Sequence, residues 1–211
     1  VRAAIQMRGH GLSGDTDAPW TCEQMADDVA ALLAEIKVGK ADFMGYSMGA
    51  GIAVQTAIRH PEIVGRLVLV SPTIATNGEY PEVRGSFDGL AQMAPMIGKN
   101  IAASPLGALY PNRNWEVVMR KTGEMNQPAH DWSAGFAKAA GPVLMIFADA
   151  DSVKPQVISD WYALRGGGQH DGGMDGSGRS QSQLAIIPNQ THYTILTSPA
   201  VVLYADAFLK P

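Results

Sequence analysis

Ser47 stands in the run Gly45-Tyr46-Ser47-Met48-Gly49, a serine with glycine two residues away on either side. A serine hydroxyl is a weak nucleophile until a neighbouring base takes its proton and a third group orients that base. The G-x-S-x-G pattern suits a sharp strand-to-helix turn that strains the serine backbone and leaves Oγ exposed. Strand and helix then approach so closely that glycine is expected at both flanking positions. With 23 glycines in 211 residues the bare pattern is weak. Its placement strengthens it: the apolar stretch Ala41-Asp42-Phe43-Met44-Gly45-Tyr46 precedes the serine, and small residues follow it at Ala50, Gly51, Ala53 and Ala57. A serine so placed can carry out acyl transfer, with the amide of Met48, at the start of the helix, directed at the developing oxyanion.

The base and its partner must lie on other elements. Of the five histidines, His60 precedes Pro61 at an expected helix end, His130 falls in an irregular central region, His170 sits in a glycine-rich stretch and His10 precedes the serine. His192 alone follows an apolar strand late in the chain, in the order serine, acid, histidine that elbow serines use. Asp149 and Asp151 both follow the preceding strand. Spacing does not choose between them, since one of the two can instead bind backbone amides of its loop.

The intervening segments read as alternating strands and helices. Thr21-Cys22-Glu23-Gln24 has capping-box form and opens a helix with a stripe of Met25, Val29, Leu32, Leu33 and Ile36, ended by Gly39. Residues 41–46, 67–70, 143–147 and 184–187 read as buried strands, and residues 1–6 as a further short one. Helices are expected from Met48 to His60, after Pro155, and from Pro199 to Leu209. Such alternation predicts an α/β fold with a mostly parallel sheet flanked by helices. Residues 74–139 break the rhythm and read as a helical cap inserted into a core of residues 1–73 and 140–211. Residues 166–180 read as a surface loop.

Composition narrows the function classes. A formal net charge of -4 argues against a nucleic-acid partner. No apolar run reaches the length of a membrane span, and the single Cys22 excludes an internal disulfide and points to a reducing, cytoplasmic setting. Gly9-His10-Gly11-Leu12-Ser13-Gly14 has the spacing of a dinucleotide fingerprint, but residues 15–20, with Pro19, do not open a helix. The Asp171–Gly176 region lacks the spacing of a calcium loop.

Four segments together, Gln6-Met7-Arg8-Gly9-His10-Gly11-Leu12-Ser13, Gly45-Tyr46-Ser47-Met48-Gly49, Ala148-Asp149-Ala150-Asp151 and Thr191-His192, resemble the α/β-hydrolase superfamily. The closest similarity is to its carboxylesterase, enol-lactonase and non-haem haloperoxidase-like members. The resemblance covers essentially the whole chain. It implies an α/β-hydrolase fold, Ser47, Asp151 and His192 as catalytic residues, an oxyanion donor at Met48 N–H, and no cofactor or metal. Ala148 replaces the usual glycine of the G-D-x-D turn, and Ile5-Gln6 the usual Pro-Asp pair.

The resemblance also places a second oxyanion donor on a His-Gly loop some dozens of residues before the R-G-H-G turn, whereas seven residues precede Arg8. The chain is therefore expected to lack N-terminal strands. Residues 1–6 would then pair elsewhere, leave the sheet, or share an edge with another molecule, and the chain is expected either to form a homodimer or to repack so that the edge is covered. The expected activity is cleavage of small carboxylic esters. A lactonase or perhydrolase using the same triad, or a non-catalytic interaction protein, are the alternatives. Met93, Met96, Leu106, Leu109 and Trp132 are candidates for an apolar pocket, or simply for core.

Overall fold

Thr21 opens the first helix, α1 (Cys22–Glu35), its Oγ1 accepting a hydrogen bond from the amide of Gln24 at 3.0 Å. Met25, Val29 and Leu33 of the expected stripe are buried, whereas Leu32 and Ile36 are exposed. The helix also stops earlier than Gly39. Lys37 takes a left-handed conformation at φ 58°, the Val38 amide reaches back to Leu33 O at 2.8 Å and the Lys37 amide to Ala34 O at 3.1 Å. This is a Schellman stop built on a lysine.

The computed structural model of the chain describes residues 2–210. After α1 come β1 (Ala41–Tyr46), α2 (Met48–Arg59), β2 (Val64–Val70), α3 (Pro81–Ala102), α4 (Pro105–Leu109), α5 (Trp115–Asn126) and α6 (Ser133–Lys138). Then follow β3 (Val143–Ala150), α7 (Pro155–Leu164), β4 (Gln183–Thr191) and α8 (Pro199–Leu209). The strands form one parallel sheet in the order β1-β2-β3-β4.

The chain divides into two units, residues Ala26–Tyr80 with His130–Pro211, and residues Val1–Met25 with Pro81–Ala129. The first holds the sheet, whose central strands β2 and β3 bury both faces, whereas β1 and β4, read from sequence as buried, are the outer strands and expose Met44 and Ile186. Leu67, Leu69, Val143, Met145 and Phe147 pack with Ala50, Ala53 and Val54 of α2, Phe136 of α6, and Ile158 and Trp161 of α7. The alternate residues Val68, Val70, Leu144, Ile146 and Ala148 pack with Val201, Ala205 and Phe208 of α8. Period-two alternation with apolar side chains on both faces is what a helix-covered parallel sheet requires.

The boundaries of the insertion differ from the 74–139 read from sequence. Ile74, Ala75, Phe136 and Ala139 belong to the core of the sheet-bearing unit, so the separate segment is 81–129, and it groups with residues 1–25. In that second unit α3 and α5 lie side by side. Lys121 of α5, 3 % exposed, donates to the Asp15 carboxylate and to the carbonyls of Thr16 and Ala18, and Arg113 donates to the carbonyls of Gly11 and Ser13. The glycine-rich turn after Met7 is thus bolted to α5, and no helix opens from it.

The strand expected over residues 1–6 is not present among the described residues, and Val1 lies outside them. The polar groups of Gln6 are engaged elsewhere: its carbonyl accepts from Ser13 Oγ at 2.6 Å and its side-chain oxygen from the Leu12 amide at 2.8 Å. Among the described residues β1 therefore forms one edge of the sheet, with β2 as its neighbour.

Candidate active site

Each of the four parallel strands among the described residues delivers a hydroxyl, carboxylate or imidazole at the first residue beyond its C-terminal end. Ser47 follows β1, Ser71 follows β2, Asp151 follows β3 and His192 follows β4.

Ser47 has φ 50° and ψ −116°, a strained conformation for a residue with a side chain. Such outliers cost of order 1–3 kcal/mol and persist only where their surroundings enforce them. Here the Ser47 amide continues the ladder to Val70 O at 2.9 Å, while its carbonyl already accepts from the Ala50 and Gly51 amides of α2. Met48 is the first residue of α2, so its amide has no acceptor within the helix.

The two glycines of the motif are not equivalent. A Cβ on Gly45 would stand 2.1 Å from the carbonyl oxygen of Gly49, whereas a Cβ on Gly49 would meet no atom within 4 Å. Sequence reasoning expected both to be sterically required, and only Gly45 is. Accordingly, Gly45→Ala should lower stability by roughly 3 kcal/mol or more in thermal or urea unfolding. Gly49→Ala should fold normally and gain up to about 1 kcal/mol from helix propensity. Equal effects of the two substitutions would contradict this account of the elbow.

His192 Nε2 lies 3.0 Å from Ser47 Oγ, and His192 Nδ1 lies 3.0 Å from Asp151 Oδ1. Asp151 is buried and its remaining acceptor capacity is filled: Oδ2 accepts from Ser71 Oγ at 2.6 Å and the Ala148 amide at 2.9 Å, and Oδ1 from the Ser152 amide at 2.8 Å. Burial by itself would raise its pKa; hydrogen bonds from His192, Ser71 and Ala148 outweigh that and hold it below the usual carboxylate range. An ionised carboxylate only accepts, so the proton of a neutral His192 resides on Nδ1. Nε2 is left as the acceptor for the serine hydroxyl.

Asp149, two residues earlier, does something different. Its carboxylate accepts from the amides of Asn189 at 2.9 Å and Gln190 at 3.1 Å, and those hydrogen bonds lower its pKa. It secures the end of β4 just before His192. Of the two aspartates that spacing left open, Asp151 is the one that faces the imidazole.

Three contributors escaped the sequence reading. Tyr46 Oη donates to the carbonyl of His192 at 2.8 Å, and the two rings lie 5.3 Å apart. Ser152 Oγ stands 3.0 Å from His192 Nδ1. Ser71, wholly buried and at φ 47°, is the third. Its only signal in the sequence is its position directly after an apolar strand. The other histidines lie away from this path. His60 Nε2 sits 2.8 Å from Asp27, His130 stacks on Trp132 at 3.9 Å, His10 Nδ1 lies 3.0 Å from Arg8 O, and His170 is exposed.

Comparison with known proteins identifies the fold. A sequence family described as alpha/beta hydrolase fold matches residues 3–99. An α/β-hydrolase enzyme from a Medee basin deep-sea metagenome library superposes with a TM-score of 0.72 at 20% identity, over 98% of this chain and 78% of that one. The chain has the α/β-hydrolase fold. The enol-lactonase of Burkholderia xenovorans LB400 shares it at a TM-score of 0.65 and 21% identity, over 96% of this chain and 78% of that one. In sequence, 2-(acetamidomethylene)succinate hydrolase of Mesorhizobium japonicum is 24% identical over 96% of this chain and 75% of its own length. In an α/β-hydrolase fold ligands meet the carboxyl ends of the strands, which is where Ser47, Ser71, Asp151 and His192 are gathered. Among the described residues, no helix is long and apolar enough to cross a membrane.

Proposed function

We propose that the chain is a serine hydrolase that cleaves small carboxylic esters through an acyl-enzyme on Ser47. The observation that carries this reading is the continuous hydrogen-bonded path Ser47 Oγ–His192–Asp151, 3.0 Å at each step, with the serine in a strained elbow. His192 Nε2 takes the hydroxyl proton as Oγ attacks the ester carbonyl. Asp151 holds the imidazole with its proton on Nδ1 and stabilises the imidazolium that forms. The carbonyl oxygen, now an alkoxide, receives the Met48 N–H. Collapse of the tetrahedral intermediate breaks the bond to the alcohol oxygen, which takes the proton from Nε2. Water then repeats the attack on the acyl-enzyme, giving up its proton to His192, and the acid leaves with Ser47 restored. The residues supporting this path use only proton transfer and hydrogen bonding.

Turnover of p-nitrophenyl acetate and butyrate by wild type and Ser47→Ala tests the reading. A loss of roughly 10⁵-fold or more in kcat is expected, because triad members act as a unit. Equal turnover by the two proteins would remove Ser47 as nucleophile. A simple γ-lactone, its ring opening followed by the acid released, separates a lactonase from an ester hydrolase, the latter being expected to favour the open-chain esters.

A further inference from the structure

We propose that Ser71 is a positioning residue for the acid of the triad, its hydroxyl fixing the rotation of the Asp151 carboxylate so that Oδ1 faces His192. This inference rests on the serine-hydrolase reading. Ser71 occupies on β2 the place that Ser47, Asp151 and His192 occupy on their strands, the first residue past the C-terminal end. It is wholly buried, and its Oγ has Asp151 Oδ2 at 2.6 Å. Its amide meanwhile donates to Ile146 O at 2.8 Å, so both its backbone and its side chain are anchored to β3 or to the residue that follows it.

The backbone is also informative. Ser71 is one of four non-glycine residues with positive φ among the described residues, and Ser47 is another. A left-handed serine is disfavoured relative to glycine at the same place. A serine held there despite that preference presents its hydroxyl to the carboxylate, which a glycine does not. Asp151 Oδ1 faces His192 and Ser152, Oδ2 faces Ser71 and the Ala148 amide, and the aromatic ring of Tyr46 lies beside His192. Loss of the Ser71 donor leaves one carboxylate oxygen short of a partner and frees the group to turn. The remaining oxygen then carries more negative charge towards the imidazole.

Ser71→Gly and Ser71→Ala separate positioning from structure. Glycine relieves the left-handed backbone and alanine does not, so Tm of Ser71→Gly should equal or exceed that of Ser71→Ala. Both should lose kcat for p-nitrophenyl butyrate by roughly 10- to 100-fold with KM unchanged, as misplacement of a reacting group predicts. The acid limb of kcat/KM should move to higher pH in both, because a carboxylate deprived of a donor stabilises the imidazolium more strongly. The rate of labelling of Ser47 by a fluorophosphonate should fall by the same factor as kcat. Wild-type kcat, acid limb and labelling rate in Ser71→Gly would overturn the proposal and leave the hydrolase reading standing. Absence of both turnover and labelling in folded wild type would overturn the hydrolase reading itself, and the role of Ser71 with it.

Discussion

His192→Gln is expected to reduce kcat for p-nitrophenyl butyrate by roughly 10⁵- to 10⁶-fold. Glutamine keeps a polar group near Ser47 Oγ but cannot accept its proton at neutral pH, and the hydroxyl then attacks as a neutral and poor nucleophile. No other described histidine stands in for it: His60 is held by Asp27, and His130 lies on Trp132. Because Ser47 and His192 act in one step, the double variant Ser47→Ala with His192→Gln should be no slower than either single variant. Losses that multiplied would mean that the two side chains contribute independently, against the path through the 3.0 Å contact. A loss below tenfold in His192→Gln would identify another base.

The second large effect is expected at Asp151. An asparagine there must place its amide group on one side or the other. Towards His192 it meets the Ser152 amide and donates to Nδ1, which forces the imidazole proton onto Nε2 and removes the acceptor for Ser47. Turned the other way, it confronts the Ala148 amide, a donor that cannot rotate. Asp151→Asn should therefore lower kcat by about 10⁴-fold and also cost about 1–3 kcal/mol of stability through an unmatched buried donor. Asp149→Asn is the control: exposed and bonded to the Asn189 and Gln190 amides, it should alter kcat only a few-fold. Comparable losses at the two positions would contradict the assignment of the acid.

The same carboxylate gives a pH dependence of stability. Burial acts to raise the Asp151 pKa, and the hydrogen bonds of His192, Ser71 and Ala148 outweigh it, so the folded value lies below the ordinary 3.8. A group whose folded pKa is depressed contributes stability that is complete above its unfolded pKa and is lost as pH falls through the folded value. Urea unfolding of wild type should thus weaken below about pH 4, and the slope there should be shallower in Asp151→Asn.

Much of the sheet and the serine elbow was legible because their determinants are local. The apolar runs at 67–70 and 143–147, short and bounded by turn residues, suit strands covered on both faces, and the structure adds only a few residues to their ends. His192 stands out in the sequence because chain order and strand ends leave no competitor, and the fold brings its Nε2 to 3.0 Å from Ser47 Oγ. Spacing alone did not separate Asp149 from Asp151, since both sit on the same turn and differ in burial and in the partners that the fold brings to them. Ser71 and Tyr46 were invisible for a related reason. Their hydrogen bonds reach 80 and 146 residues along the chain, and neither residue type announces a contact at that range. The glycine rule failed at Gly49 because it is steric, and sterics depend on which backbone approaches. Gly45 faces the Gly49 carbonyl, whereas Gly49 faces open space. Residues 1–6 carry strand-like composition, yet composition does not supply a neighbouring strand, and Gln6 is held by Ser13 and Leu12 instead.

The most direct test of the central claim is to treat the folded protein with a fluorophosphonate and locate the adduct by peptide mass spectrometry. The account predicts one modified residue, Ser47, with labelling lost in Ser47→Ala and sharply slowed in His192→Gln. Folded wild-type protein that gains no adduct, or that gains it on a serine other than Ser47, would contradict it.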